Sequence, residues 1–232
     1  MPSPYTRAAS DGFRVVDEWD DGFGWQAHPD ESGARTSHAI ADDDGIWLFD
    51  PLDAPGIDER LADLGTVSGI VVCADYHTRD GATFARRHDV PVTVPAWLSR
   101  VTDRVDAPVE RATDSVAGFE LRRLRPLRAW HETVAYRERD GTLYVPDFLS
   151  THPKFTVGGE RLGMPTFSRL WPPRERLDCA PARILLGHGE GVFDNPAGEL
   201  KETLRGARRR FPRALVSNLP GEIHAMVGAL RD

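Results

Sequence analysis

Three histidines and one aspartate stand at the edges of stretches that read as β-strands. His77 follows the apolar run ending at Cys73. His131 precedes a strand beginning near Thr133. Asp147 follows Leu143-Tyr144-Val145, and His188 follows Ile184-Leu185-Leu186 between Gly187 and Gly189. Strand ends gather at one edge of a sheet, so residues distant in sequence can converge there. Imidazole and carboxylate are suitable ligands for zinc and for iron. Two histidines and one aspartate, with water in an open position, make a hydrolytic metal site. Each residue also has a plainer reading. His77 can cap backbone groups at a strand-to-helix turn, His131 can be a polar residue opening a strand, Asp147 can be an N-cap, and His188 can be a turn residue. His28, His38, His88, His152 and His224 have no convergent context and read as structural or surface residues.

The elements that must position these groups follow from patterning. Phe13–Val16 reads as a strand. Ser37–Asp42 and Gly45–Phe49 read as a hairpin around Asp43-Asp44, and Asp50-Pro51 breaks the sheet. Ile57–Leu64 is helical in pattern. The unbroken apolar run Gly69–Cys73 fits a strand covered on both faces. A helix over Arg79–His88 and a strand over Val90–Val94 complete a βαβ rhythm, which implies parallel pairing. Strands return at Phe119–Leu124, Thr133–Arg137 and Thr142–Val145, with Asp140-Gly141 as a hairpin turn. The segment Thr151–Pro173 lacks a period and reads as a lid, a loop or short helical turns. Ile184–Leu186 is another buried strand. Asn195-Pro196 opens a helix, and a last helix places Ile223, Met226, Val227 and Leu230 on one face. Together these predict an α/β fold, a sheet sandwich with helices outside.

The ordered set resembles the metallo-β-lactamase superfamily. Asp50 after Trp47-Leu48-Phe49 resembles the aspartate that closes an early strand in that family. Val72–Ala85 resembles its strand, metal loop and following helix. His131 resembles the isolated histidine of the second segment, Leu143–Asp147 the strand ending in a metal-bridging aspartate, and Leu186–Gly189 the late glycine-flanked histidine. The resemblance runs from about Ser37 to Val192 and implies an αββα sandwich. The family motif is His-x-His-x-Asp-His. Aligning the following helix puts His77 at the final histidine, with Tyr76, Ala74 and Val72 at the aspartate and the two other histidines. Pro146 stands where the family usually has glycine. The resemblance therefore implies a degenerate motif and a reduced, single-metal site of His77, Asp147 and His188. Asp75 replaces the lost aspartate if the loop shifts by one residue, and Asp80 is a weaker substitute. His131, left without metal-sharing partners, becomes a candidate general acid or base, and His131 or Asp75 could carry a proton.

Bulk properties set the outer limits. At 232 residues the chain reads as one domain over 1–232. No apolar run approaches the roughly 20 residues needed to span a bilayer. Met1–Asp20 lacks a basic region followed by an apolar core, so no signal peptide is expected and the expected location is cytoplasmic. A net charge of −7 disfavours nucleic acid as a partner. Cys73 and Cys179 are far apart and read as unpaired thiols. The arginine cluster from Arg205 to Arg213 reads as a solvated helix end. Trp25 and Trp171 read as packing or lid residues. The expected function is a metal-dependent hydrolase holding zinc or iron and acting on a small molecule. The alternative is a metal-free, non-catalytic member of the same fold that binds a ligand or partner. Substrate and oligomeric state are not specified by the sequence.

Overall fold

Alternate residues of the apolar runs enter different layers, and this decides the architecture. In the computed structural model, which describes residues 5–127, 130–219 and 221–223, Leu48, Ile70 and Val72 face one core while Phe49, Val71 and Cys73 face another. Leu143, Val145, Ile184 and Leu186 face a third core, and Tyr144 and Leu185 turn back to join Phe49 and Val71. A strand's side chains alternate faces, so each run must be apolar throughout because both of its faces are covered. The middle core lies between two sheets and the outer cores lie under helices. This is the expected αββα sandwich.

The first sheet is an antiparallel meander of β1 (Arg14–Trp19), β2 (Gly22–Gln26), β3 (Ser37–Asp42) and β4 (Gly45–Phe49). It continues in parallel through β5 (Val67–Val71), β6 (Val92–Pro95) and β7 (Val109–Ala112). The crossovers carry α1 (Ile57–Leu64), α2 (Gly81–His88) and the short α3 (Ser99–Thr102). The second sheet runs β8 (Ser115–Val116), β9 (Phe119–Leu127), β10 (Trp130–Arg137), β11 (Thr142–Val145) and β12 (Arg183–Leu186). Only its β11–β12 pair is parallel. α4 (Pro196–Ser217) buries Leu200, Leu204 and Ala207 in the core over this sheet.

Several boundaries differ from the sequence reading. β5 ends at Val71, so Val72 and Cys73 already belong to the loop that crosses toward the second sheet. α2 begins at Gly81 because Arg79 has a left-handed φ of 39°, which ends any helical continuation backwards. β10 begins at Trp130, so His131 lies inside the strand, at an irregularity between Trp130 and Glu132. Asn195 is left-handed and makes no side-chain cap, although Pro196 starts the helix as expected. Met226, Val227 and Leu230 fall outside the described residues. In the segment 151–173 the short helical turns are one of the expected readings. Ser150 bridges to Gly163, a 3₁₀ turn covers Phe167–Leu170, and fully buried Arg169 pairs with Glu160 at 2.8 Å. Cys73 and Cys179 are unpaired, the first buried and the second partly so. Among the described residues, no helix is long and apolar enough to cross a membrane.

Candidate metal centre

The site begins where β4 ends. Asp50 adopts a left-handed φ of 46° and is fully buried. Its Oδ1 accepts the Cys73 N–H at 2.8 Å and its Oδ2 accepts the Tyr144 hydroxyl at 2.6 Å. These bonds tie the loop after β5 to β11. The loop is stitched to β10 as well, because Thr133 N–H donates to Cys73 O and Asp75 N–H to His131 O. A tight turn, His77 N–H to Ala74 O at 3.0 Å, then presents His77.

β11 and β12 are parallel and in register at Val145 and Leu186, so Asp147 and His188 leave adjacent strand ends together. Both glycines beside His188 are required. A Cβ on Gly187 would lie 2.3 Å from Pro146 O, and Gly189 has a φ of 91°. The result is convergence of three predicted residues. His77 Nε2 lies 3.0 Å and His188 Nε2 2.9 Å from Asp147 Oδ1. One donor atom from each residue lies within 4.8 Å of the others.

The other ring nitrogens show how the imidazoles are oriented. His77 Nδ1 lies 3.0 Å from Asp50 Oδ2, and His188 Nδ1 lies 2.6 Å from Gly33 O. Both partners are acceptors, so the Nδ1 atoms are assigned a hydrogen, and the Nε2 atoms, turned toward Asp147, are the ones that would serve as donors to an ion. A histidine anchored through its far nitrogen to a carboxylate or carbonyl is the usual supporting arrangement for a metal ligand. This donor set fits zinc or iron.

The electrostatics agree with a tightly coupled centre. Burial and the Arg79 charge push His77 down. The Asp147 and Asp50 carboxylates outweigh them and hold it above the ordinary imidazole value. Burial opposes charge on Asp147, but His77 and His188 hold its carboxyl far below the usual range. Asp50 is likewise lowered against burial, by His77, Arg79 and Tyr144.

Of the two residues proposed for proton transfer, Asp75 and His131 face each other, with Nδ1 to Oδ2 at 3.6 Å. They stand outside the triad. Burial raises Asp75 and His131 partly offsets it. Asp75 Oδ1 and His131 Nε2 have no hydrogen-bond partner among the described residues. Asp80 does not join the site; its carboxylate accepts the Asp53 N–H at 2.8 Å.

Three neighbours escaped the sequence reading. Arg79 donates to Thr36 O and Asp50 O through Nη1, and to Gly187 O through Nη2. No pattern marks such a residue before a helix. Glu132 is wholly buried, accepts Phe148 N–H at 3.1 Å, and is pushed well up by burial and by the Asp147 charge. Its signal was an acid directly before the run Thr133–Tyr136, which carries no charge. Tyr144 was legible only as a polar tip on a strand covered on both faces.

No protein-family model and no curated protein sequence matches the chain. Solved structures do match. The DIM-1 metallo-β-lactamase exposed to ceftazidime aligns over 87% of this chain and 99% of its own, with a TM-score of 0.60 at 12% identity. The FIM-1 metallo-β-lactamase from Pseudomonas aeruginosa, in a mono-zinc form, aligns over 89% and 99% at 11% identity, TM-score 0.56. TTHA1623 in a di-iron-bound form aligns over 73% and 93% at 18% identity, TM-score 0.54. The fold is that of the metallo-β-lactamase superfamily.

Proposed function

We propose that this metallo-β-lactamase-fold chain is a metal-dependent hydrolase with a reduced, single-metal site held by His77, Asp147 and His188. One observation carries the reading: two imidazole Nε2 atoms converge on one Asp147 oxygen, at 3.0 and 2.9 Å, with both Nδ1 atoms anchored behind them. The mono-zinc and di-iron forms of structural neighbours support zinc or iron as the ion. A bound ion supplies Lewis acidity and a water of lowered pKa. Asp147 orients the water, and Asp50 fixes the His77 ring. His131 Nε2 takes up a proton, with Asp75 behind it as the balancing carboxylate. The substrate is a small molecule and the setting is cytoplasmic.

The test is elemental analysis of the purified chain. About one zinc or iron per molecule is expected, absent from His188→Ala. A chain that carries no ion, and that is unchanged in stability by His188→Ala, would defeat the proposal.

A second reading is a metal-free member that binds a ligand or partner. The triad's own contacts favour it, because both Nε2 atoms lie within hydrogen-bond distance of Asp147 Oδ1 and the three groups satisfy one another without an ion.

A further inference from the structure

A cavity of about 940 Å³ adjoins the centre, yet His77, Asp147 and His188 do not line it. Its walls include Tyr76, Thr78 and Arg79, which flank His77, and the whole segment from Tyr5 to Ser10. Tyr5 touches both compartments. Its ring meets His188 edge-on at 6.4 Å and 70°, and the Asp147 charge, after burial, raises its phenol. Each triad imidazole is only 7% exposed. A hydrolytic centre this closed needs a way in.

The segment is fastened at discrete points. Thr6 N–H donates to Glu31 Oε2 at 3.0 Å, and Arg35 Nη2 donates to Thr6 O at 2.8 Å. The Arg35 guanidinium lies 5.4 Å from the centre of the Tyr5 ring and pairs with Glu31 at 2.7 Å. Ser10 Oγ donates to Ala27 O. The same 31–36 stretch holds the His188 loop, through Gly189 N–H to Ala34 O and Thr36 N–H to Gly187 O. The fastening and the histidine therefore share one support. Hydrogen bonds and the two ring contacts of Tyr5 are among its fastenings, and no residue of the segment belongs to any of the three cores.

We infer that residues 5–10 form a strap closing the centre off from the cavity, with Tyr5 as its latch. A small molecule entering through the cavity reaches His188 when the strap lifts. The inference rests on the proposed site only for its purpose, and its test needs no ion.

The probe is diethyl pyrocarbonate, which carbethoxylates imidazole. The full chain is first dialysed at length against a chelator, and modification of His188 is followed by peptide mass spectrometry. Tyr5→Ala removes the latch. Thr6→Pro removes the N–H that fastens the strap to Glu31. Tyr5→Phe keeps the ring. At least a tenfold faster modification of His188 is expected in Tyr5→Ala and in Thr6→Pro, with Tyr5→Phe at the wild-type rate and melting temperatures retained. Equal rates in all four proteins overturn the strap, and so does a Tyr5→Phe rate matching Tyr5→Ala. Metal content is measured separately. A metal-free chain with the expected pattern keeps the strap and removes the metal centre; a metal-loaded chain with flat rates does the reverse.

Discussion

His77 Nδ1 lies 3.0 Å from the Oδ2 of Asp50, a carboxylate fully enclosed by protein and already bonded to Cys73 and Tyr144. Asp50 therefore sets the tautomer and the angle of an imidazole whose other nitrogen faces Asp147. Replacing it by asparagine weakens that orientation without emptying the space. Asp50→Asn is expected to lower affinity for zinc or cobalt about ten- to a hundredfold. Competition against a chromogenic chelator measures this. Unchanged affinity would mean that Asp50 is only a structural plug.

Gly187 admits no side chain, since a Cβ there meets Pro146 O at 2.3 Å. Gly187→Ala must part β11 from β12 just where Asp147 and His188 leave them. A stability loss of about 1–3 kcal/mol is expected from the overpacking, with metal binding lost in protein that still folds. Urea denaturation and elemental analysis check the two effects separately.

Asp140 gathers Arg137, Arg183 and Thr142 at the junction of β10, β11 and β12. Burial raises its carboxyl, but the Arg137 and Thr142 hydrogen bonds win and bring it from 3.8 to about 2. A lowered carboxylate contributes stability above its unfolded pKa, and that contribution disappears as pH falls through the folded value. Here it is fully present above pH 3.8 and lost on acidification through about 2. Discounted for solvent screening at a partly exposed carboxylate, the shift corresponds to about 1–2 kcal/mol. Asp140→Asn is expected to lose about that much at neutral pH and to show a flatter acid limb. Melts from pH 7 down to about 2 would show both.

Arg169 and Glu160 pair inside the segment that the sequence marked only as aperiodic, and neither side chain reaches solvent. Removing Glu160 leaves Arg169 charged and enclosed, whereas removing Arg169 leaves Glu160 with Arg210 Nε at 3.4 Å. Glu160→Ala is expected to cost about 3–5 kcal/mol, Arg169→Ala less because Arg210 still faces Glu160, and the double variant less than the two together. Additive losses would show that the pair does not act as a unit.

The layers were readable because runs such as Ile70–Cys73 and Ile184–Leu186 carry no polar residue. Only strands covered on both faces tolerate that. The triad was readable because each member stands beyond such a run. β2 was missed because Gly22-Phe23-Gly24-Trp25-Gln26 alternates glycine with aromatics and lacks β-branched residues. It forms because both faces are buried in context. His131 was placed just before its strand because Trp130 and His131 carry no apolar alternation, whereas the pairing of Trp130 with β9 extends β10 back past it. The wider site was hidden for another reason. Arg79, Glu132 and Glu31 act through backbone groups, and nothing in their spacing says which carbonyl or amide they will meet.

The guanidinium of Arg79 grips Thr36 and Asp50 from the first sheet and Gly187 from the second. A chain that carries its own stitch across the seam has a tie between its halves that needs no visiting ion. Dialysis against chelators should lower its melting temperature only by what binding of the ion contributed, and leave a cooperatively folded chain. A lineage built this way can swap one ion for another, or discard ions altogether, and still inherit the same body.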